Sequence, residues 1–223
     1  MTEKTLVTVV TSNRFMAETI ARAIDANTEH EGYYHGNGYA VTWTNGEIIE
    51  AEYKHGEKFV MNSGQDMRQM YAHHFNFRMR NYDALLGWEK SKADEAQLSI
   101  IKALWAKSSA VVNAMEPTFE GELAFLNLYW YLRMPVTVRR AWLSRLRKPI
   151  IIRGVENGVY SPDKHEKWLA GELVNFFLKA DAVAGENALD IESAENNPTD
   201  EGSDVELNIV KGQTLHNMVT LWM

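Results

Sequence analysis

Two short apolar runs rich in β-branched residues constrain this chain more than any other feature: Leu6–Val10 and Ala110–Met115. Runs of this kind read as strands covered on both faces, as in parallel sheets. Each is followed by a helical pattern. After the first run, Met16, Ile20 and Ile24 recur at four-residue spacing beside Ala17 and Ala21, the signature of an amphipathic helix. After the second, Glu120–Leu132 is dense in Leu, Phe, Tyr and Trp, which predicts a helix buried on most sides. Further strands are expected at Tyr39–Thr44, beyond the Gly36-Asn37-Gly38 break, and at Val136–Leu143. Helices are expected near residues 65–73, 94–107 and 163–180. Strand and helix in alternation predict an α/β fold with a central, mostly parallel sheet and helices on both faces.

The chain has 223 residues, 45% of them hydrophobic, enough to bury a full core. The absence of cysteine excludes disulfides, Cys-ligated zinc and a thiol nucleophile. No basic leader with an apolar core stands at the N-terminus, and no run approaches the roughly 20 apolar residues that cross a bilayer. A soluble, cytoplasmic protein without membrane contact is the expectation.

Charge divides the chain. Residues 181–206 hold nine acids and no Lys or Arg; removing nine from the 30 acidic residues leaves 21 against 23 basic ones. The expected organisation is an α/β domain over residues 1–180, an acidic flexible segment over 181–206, and a short apolar C-terminal segment over 207–223. Residues 133–153, by contrast, carry Arg133, Arg139, Arg140, Arg145, Arg147, Lys148 and Arg153 with no acid. That stretch is a phosphate-contacting face, a solvated surface, or a partner for the chain's own acidic segment.

In open α/β domains, chemistry gathers where a strand ends and the next helix begins. Here that junction reads Glu116-Pro117-Thr118-Phe119-Glu120-Gly121-Glu122. Three carboxylates so close repel one another unless a cation or water screens them, so the junction either holds a hard metal ion or is well solvated. A helix N-terminus, which welcomes negative charge, is the alternative account of the acids. Ser12 and Asn13 suit a helix cap. Adjacent His73 and His74 point different ways and are expected to be solvated. Most tryptophans are expected in the core.

The order of these segments resembles the TOPRIM domain of type IA DNA topoisomerases, of the topoisomerase III kind, over residues 4–155. The resemblance is carried by the N-terminal strand with its turn into a helix and by Gly38-Tyr39-Ala40-Val41-Thr42-Trp43 followed by Gly46. It is carried further by the Glu120-Gly121-Glu122 turn and by Pro135-Val136-Thr137-Val138-Arg139-Arg140-Ala141-Trp142. It implies a TOPRIM-like, Rossmann-like fold. It also implies magnesium held by Glu116, Glu120 and Glu122, with Glu120 in a catalytic role, and contacts to single-stranded DNA. Hard oxygen ligands suit magnesium, which polarises phosphate oxygens.

The sequence departs from the family pattern at several positions. The family's first glutamate falls at Ser12, its second later aspartate at Thr118, the arginine before Glu-Gly-Glu at Phe119, and a histidine after the Trp strand's glycine at Glu47. Losing one preorganised electrostatic group costs on the order of 100–1,000-fold in rate. The chain also has no room for the domains that carry the family's nucleophilic tyrosine. The resemblance therefore implies a degenerate, stand-alone module of DNA metabolism that binds DNA through Arg139, Arg140, Arg145 and Arg147. A protein partner supplying the missing topoisomerase domains is a further expectation. The alternative is a magnesium-dependent DNA phosphotransfer enzyme, a topoisomerase subunit or nuclease, that uses the remaining glutamates.

Overall fold

A computed structural model describes residues 6–54, 66–82, 87–159 and 162–195. The chain forms two compact units, Met1–Glu50 with Phe77–Leu169, and Ala51–Asn76 with Ala170–Met223. Residues 207–223 and the side chain of Trp88 lie outside what is described.

The first unit is built on a six-stranded sheet. Strands β1 (Leu6–Thr11), β4 (Tyr39–Trp43), β7 (Ser108–Asn113) and β8 (Thr137–Arg140) pair in parallel, in the order β4-β1-β7-β8. The two apolar runs therefore lie side by side at the centre, with Val10 opposite Asn113. Strands β2 (Thr28–His30) and β3 (Tyr33–Gly36) extend the sheet antiparallel beyond β4. The Gly36-Asn37-Gly38 break is the turn of the β3–β4 hairpin. Asn37 and Gly38 both have positive φ, 49° and 81°, as tight two-residue hairpin turns require.

Alternation along the central strands sends neighbouring residues to opposite faces. Val9, Val41 and Val112 meet Ala17, Ile20 and Ala21 of α1 (Arg14–Ala23), together with Ile151 and Val155 of α5 (Lys148–Asn157). Val10 and Val111 face the other way. They pack with Leu98, Ile101 and Trp105 of α3 (Gly87–Trp105) and with Phe125 and Leu128 of α4 (Phe119–Leu132). Helices thus cover both faces of a mostly parallel sheet, the α/β architecture expected from the sequence.

Strand β8 is shorter than expected, ending at Arg140 rather than Leu143. Helix α5 was not anticipated. Its first turn holds Pro149, which helix N-termini tolerate because the missing N–H has no intrahelical partner. Strand β5 (Ile49–Tyr53) pairs with β6 (Phe75–Met79) in a separate two-stranded sheet, and α2 spans Met67–His74.

Within the second unit, Tyr71, Phe75, Phe176 and Phe177 form an aromatic core. His74 is buried there, stacked on Tyr53 and edge-on to Phe177. Only His73 of the pair therefore remains a candidate for the solvated role. Helix α6 runs Pro162–Glu195, so the beginning of the acidic 181–206 segment is helical. Residues 196–206 lie outside those described. Among the described residues no helix is long and apolar enough to cross a membrane.

Candidate functional site

The C-terminal ends of β1, β7 and β8 converge on the acidic junction. Asn13 caps α1 by accepting a hydrogen bond from the Met16 backbone N–H at 2.9 Å. With Asn13 in that role, the Ser12 hydroxyl is free to donate to Glu116 Oε1, and Asn13 Nδ2 reaches the same oxygen at 3.5 Å. Glu116 is half-buried beside them. Thr118 caps α4, its hydroxyl accepting from the Gly121 N–H at 3.2 Å.

The glycine of Glu120-Gly121-Glu122 is set by a close approach. A Cβ at Gly121 would collide with the backbone carbonyl oxygen of Glu116, and a backbone atom cannot move aside as a flexible side chain can. This contact folds the turn tightly onto Glu116. It also sends the two flanking glutamates to different environments. Glu120 is exposed in the first turn of α4, where the helix dipole favours a carboxylate. Glu122 is turned inward and is 3% exposed.

Glu122 meets Arg140 there. Arg140 Nε donates to Glu122 Oε1. Its Nη1 reaches the carbonyl oxygens of Asn113, Met115 and Ala141 at 3.0, 3.1 and 2.8 Å, and Nη2 donates to the Glu116 carbonyl at 2.8 Å. All three guanidinium nitrogens thus donate within the protein, and Arg140 is buried. The other Glu122 oxygen accepts from Asn113 Nδ2 at 3.2 Å, while His165 Nε2 lies 3.4 Å from Oε1. Trp142 closes the cluster, its ring centroid 4.9 Å from the guanidinium carbon and 5.3 Å from the His165 ring. Trp168 packs edge-on against Trp142 at 5.2 Å.

Burial pushes the Glu122 carboxyl up, but the His165 hydrogen bond and the Arg140 cation outweigh it and leave it below its ordinary range. Burial likewise lowers the Arg140 guanidinium, against the opposing pull of Glu122. It remains a cation, since arginine does not deprotonate in proteins. Breaking such a pair strands a buried charge, which is why its removal is far costlier than the pair's net contribution.

The four arginines expected to contact phosphate separate accordingly. Arg140 faces inward and organises the acidic turn, because its partner Glu122 stands across from it on α4. Arg139, its neighbour in β8, is half-exposed and donates from Nη1 to the Glu156 carbonyl at 2.8 Å. Arg145 and Arg147 are exposed in the segment leading from β8 to α5, and Lys148 and Arg153 are exposed on α5. Lys148 has only a 3.9 Å approach to Asp25.

Among the described residues no three His, Asp or Glu side chains stand close enough to hold a metal ion. Both oxygens of Glu122 are engaged by protein donors, so the full set of Glu116, Glu120 and Glu122 does not fit a common magnesium ion. Positions that depart from the topoisomerase pattern have structural partners instead. Ser12 bonds Glu116, Thr118 caps α4, and Glu47 pairs with Arg80 at 2.7 Å.

Sequence reasoning missed His165. It lies 43 residues beyond Glu122 in the chain, and no spacing links the two. Compared with known proteins, the chain matches no family model and no curated sequence.

Proposed function

We propose that this chain is a TOPRIM-like, non-catalytic module of DNA metabolism that binds single-stranded DNA through the exposed basic surface after β8. The observation that carries the reading is the division among its arginines. Arg140 is consumed by the fold, whereas Arg145, Arg147, Lys148 and Arg153 face solvent in a stretch that contains no acid. Exposed cations gathered without intervening acids attract a polyanion by releasing its condensed counterions.

The surface begins at the C-terminal end of β8, where α/β domains place their ligands. The family resemblance supports the same reading, as does the structural employment of Ser12, Thr118 and Glu47. A magnesium-dependent nuclease or topoisomerase subunit is less well supported, because its carboxylates do not converge. Any partner protein would have to bring the cleavage chemistry.

Fluorescence anisotropy with a labelled single-stranded oligonucleotide tests the proposal. Affinity is expected to fall steeply with salt, and the Arg145→Ala, Arg147→Ala double variant to weaken binding. Its salt slope should drop by roughly 0.7 for each phosphate that the variant no longer neutralises. Absence of binding at low salt, or a double variant that binds as tightly as the native chain, overturns it.

A further inference from the structure

We infer that Arg140 supplies from within the fold the positive charge that the acidic turn would otherwise draw from a metal ion, and that Glu122 is its internal counterion rather than a metal ligand. The acceptors around the guanidinium are all oxygens: one carboxylate oxygen of Glu122 and the backbone carbonyls of Asn113, Met115, Glu116 and Ala141. A hard divalent cation prefers the same kind of oxygen set. Here the chain leaving β7 curls so that the carbonyls of Asn113, Met115 and Glu116, joined by that of Ala141 just after β8, surround one planar, forked cation.

A metal ion cannot share that nest with the guanidinium. Two like charges within one nest repel strongly at the effective dielectric typical of proteins. Magnesium also keeps several of its waters, and Glu122, 3% exposed with both oxygens already accepting from protein donors, leaves no space for that shell. The carboxylates left open to solvent are Glu116 in part and Glu120. The built-in cation makes the fold of the turn independent of divalent ions.

The experiment uses the full chain without nucleic acid, so its outcome is separate from whether the basic surface binds DNA. MnCl2 is titrated while the His165 imidazole and Trp142 indole NMR signals are followed, first in the native protein and then in a Glu116→Gln, Glu120→Gln double variant. Paramagnetic Mn2+ seated at Glu122 would erase these signals, since His165 Nε2 is 3.4 Å from the carboxylate. The expected result is that both signals keep their linewidth in the double variant, whether or not the native protein shows broadening from an ion at the open carboxylates. Both substituted side chains are at least partly solvent-facing, so the variant is expected to fold. Selective broadening that persists in the double variant overturns the inference. A second measurement uses Arg140→Ala, in which gain of selective Mn2+ broadening at His165 would show that the vacated oxygens accept a cation.

Discussion

Arg140 and the Arg145–Arg147 segment belong to one acid-free stretch of sequence, yet they do opposite work. Arg140 ends a strand that lies against β7, and its side chain enters a nest of carbonyls and a buried carboxylate. Arg145 and Arg147 lie a few residues further on, past the end of the strand, and stay in water. The difference teaches that a cluster of basic residues is not one object. Each arginine takes its role from what its side chain meets, a buried carboxylate at Arg140 and water at Arg145 and Arg147.

The largest effect expected of any change to this contrast is at Arg140. Arg140→Ala leaves the Glu122 carboxylate buried without its cation, and loss of one partner of a buried pair costs about 3–5 kcal/mol. Denaturant unfolding followed by tryptophan fluorescence reads this directly. A loss below about 1 kcal/mol, the range of surface ion pairs, would erase the distinction between the two regions.

A pH series sharpens it. The Glu122 carboxyl titrates below its ordinary value of 4.5, so its stabilising contribution is fully present above that value and is lost as pH falls through the lowered one. The gap in unfolding midpoint between native protein and Glu122→Gln is therefore expected to be wide near neutrality and to narrow below about pH 4.5. A gap that is constant across that range would mean the carboxylate's charge is not what holds the cluster.

The smallest effect is expected on the exposed side. The Arg145→Ala, Arg147→Ala double variant should unfold within about 0.5 kcal/mol of the native chain, as surface substitutions away from special features do. A clear loss of stability would show that these side chains, like Arg140, serve the fold.

The central strands were legible because β-branched apolar runs have few alternatives once both faces are covered. The cap of α1 and the turn at Gly36–Gly38 were legible from local chemistry. Strands β2 and β3 were not. Thr28–His30 is polar and exposed at every position, so it presents no apolar alternation and is held by its pairing with β3. Helix α5 was masked by its charges, although Ile151 and Val155 carry the four-residue spacing.

At the candidate site, the acidic turn was legible as a cluster but not as a division of labour. Glu122 and Glu120 have the same chemistry in sequence. Only the forced tightness at Gly121 and an arginine on another strand decide which one is buried. His165 and Trp168, which complete the cluster, come from α6, and long-range packing of that kind leaves no local trace.

The two outermost strands of the main sheet carry a consequence for self-association. β2 is three residues long, and Glu29 at its centre is bound to Arg14 at 2.5 Å. On the opposite border, β8 is four residues long and ends in two arginines. Short, charged margins of this sort deny an incoming chain a template of free amides and carbonyls. Among the described residues, both borders of the main sheet therefore disfavour the addition of a further strand.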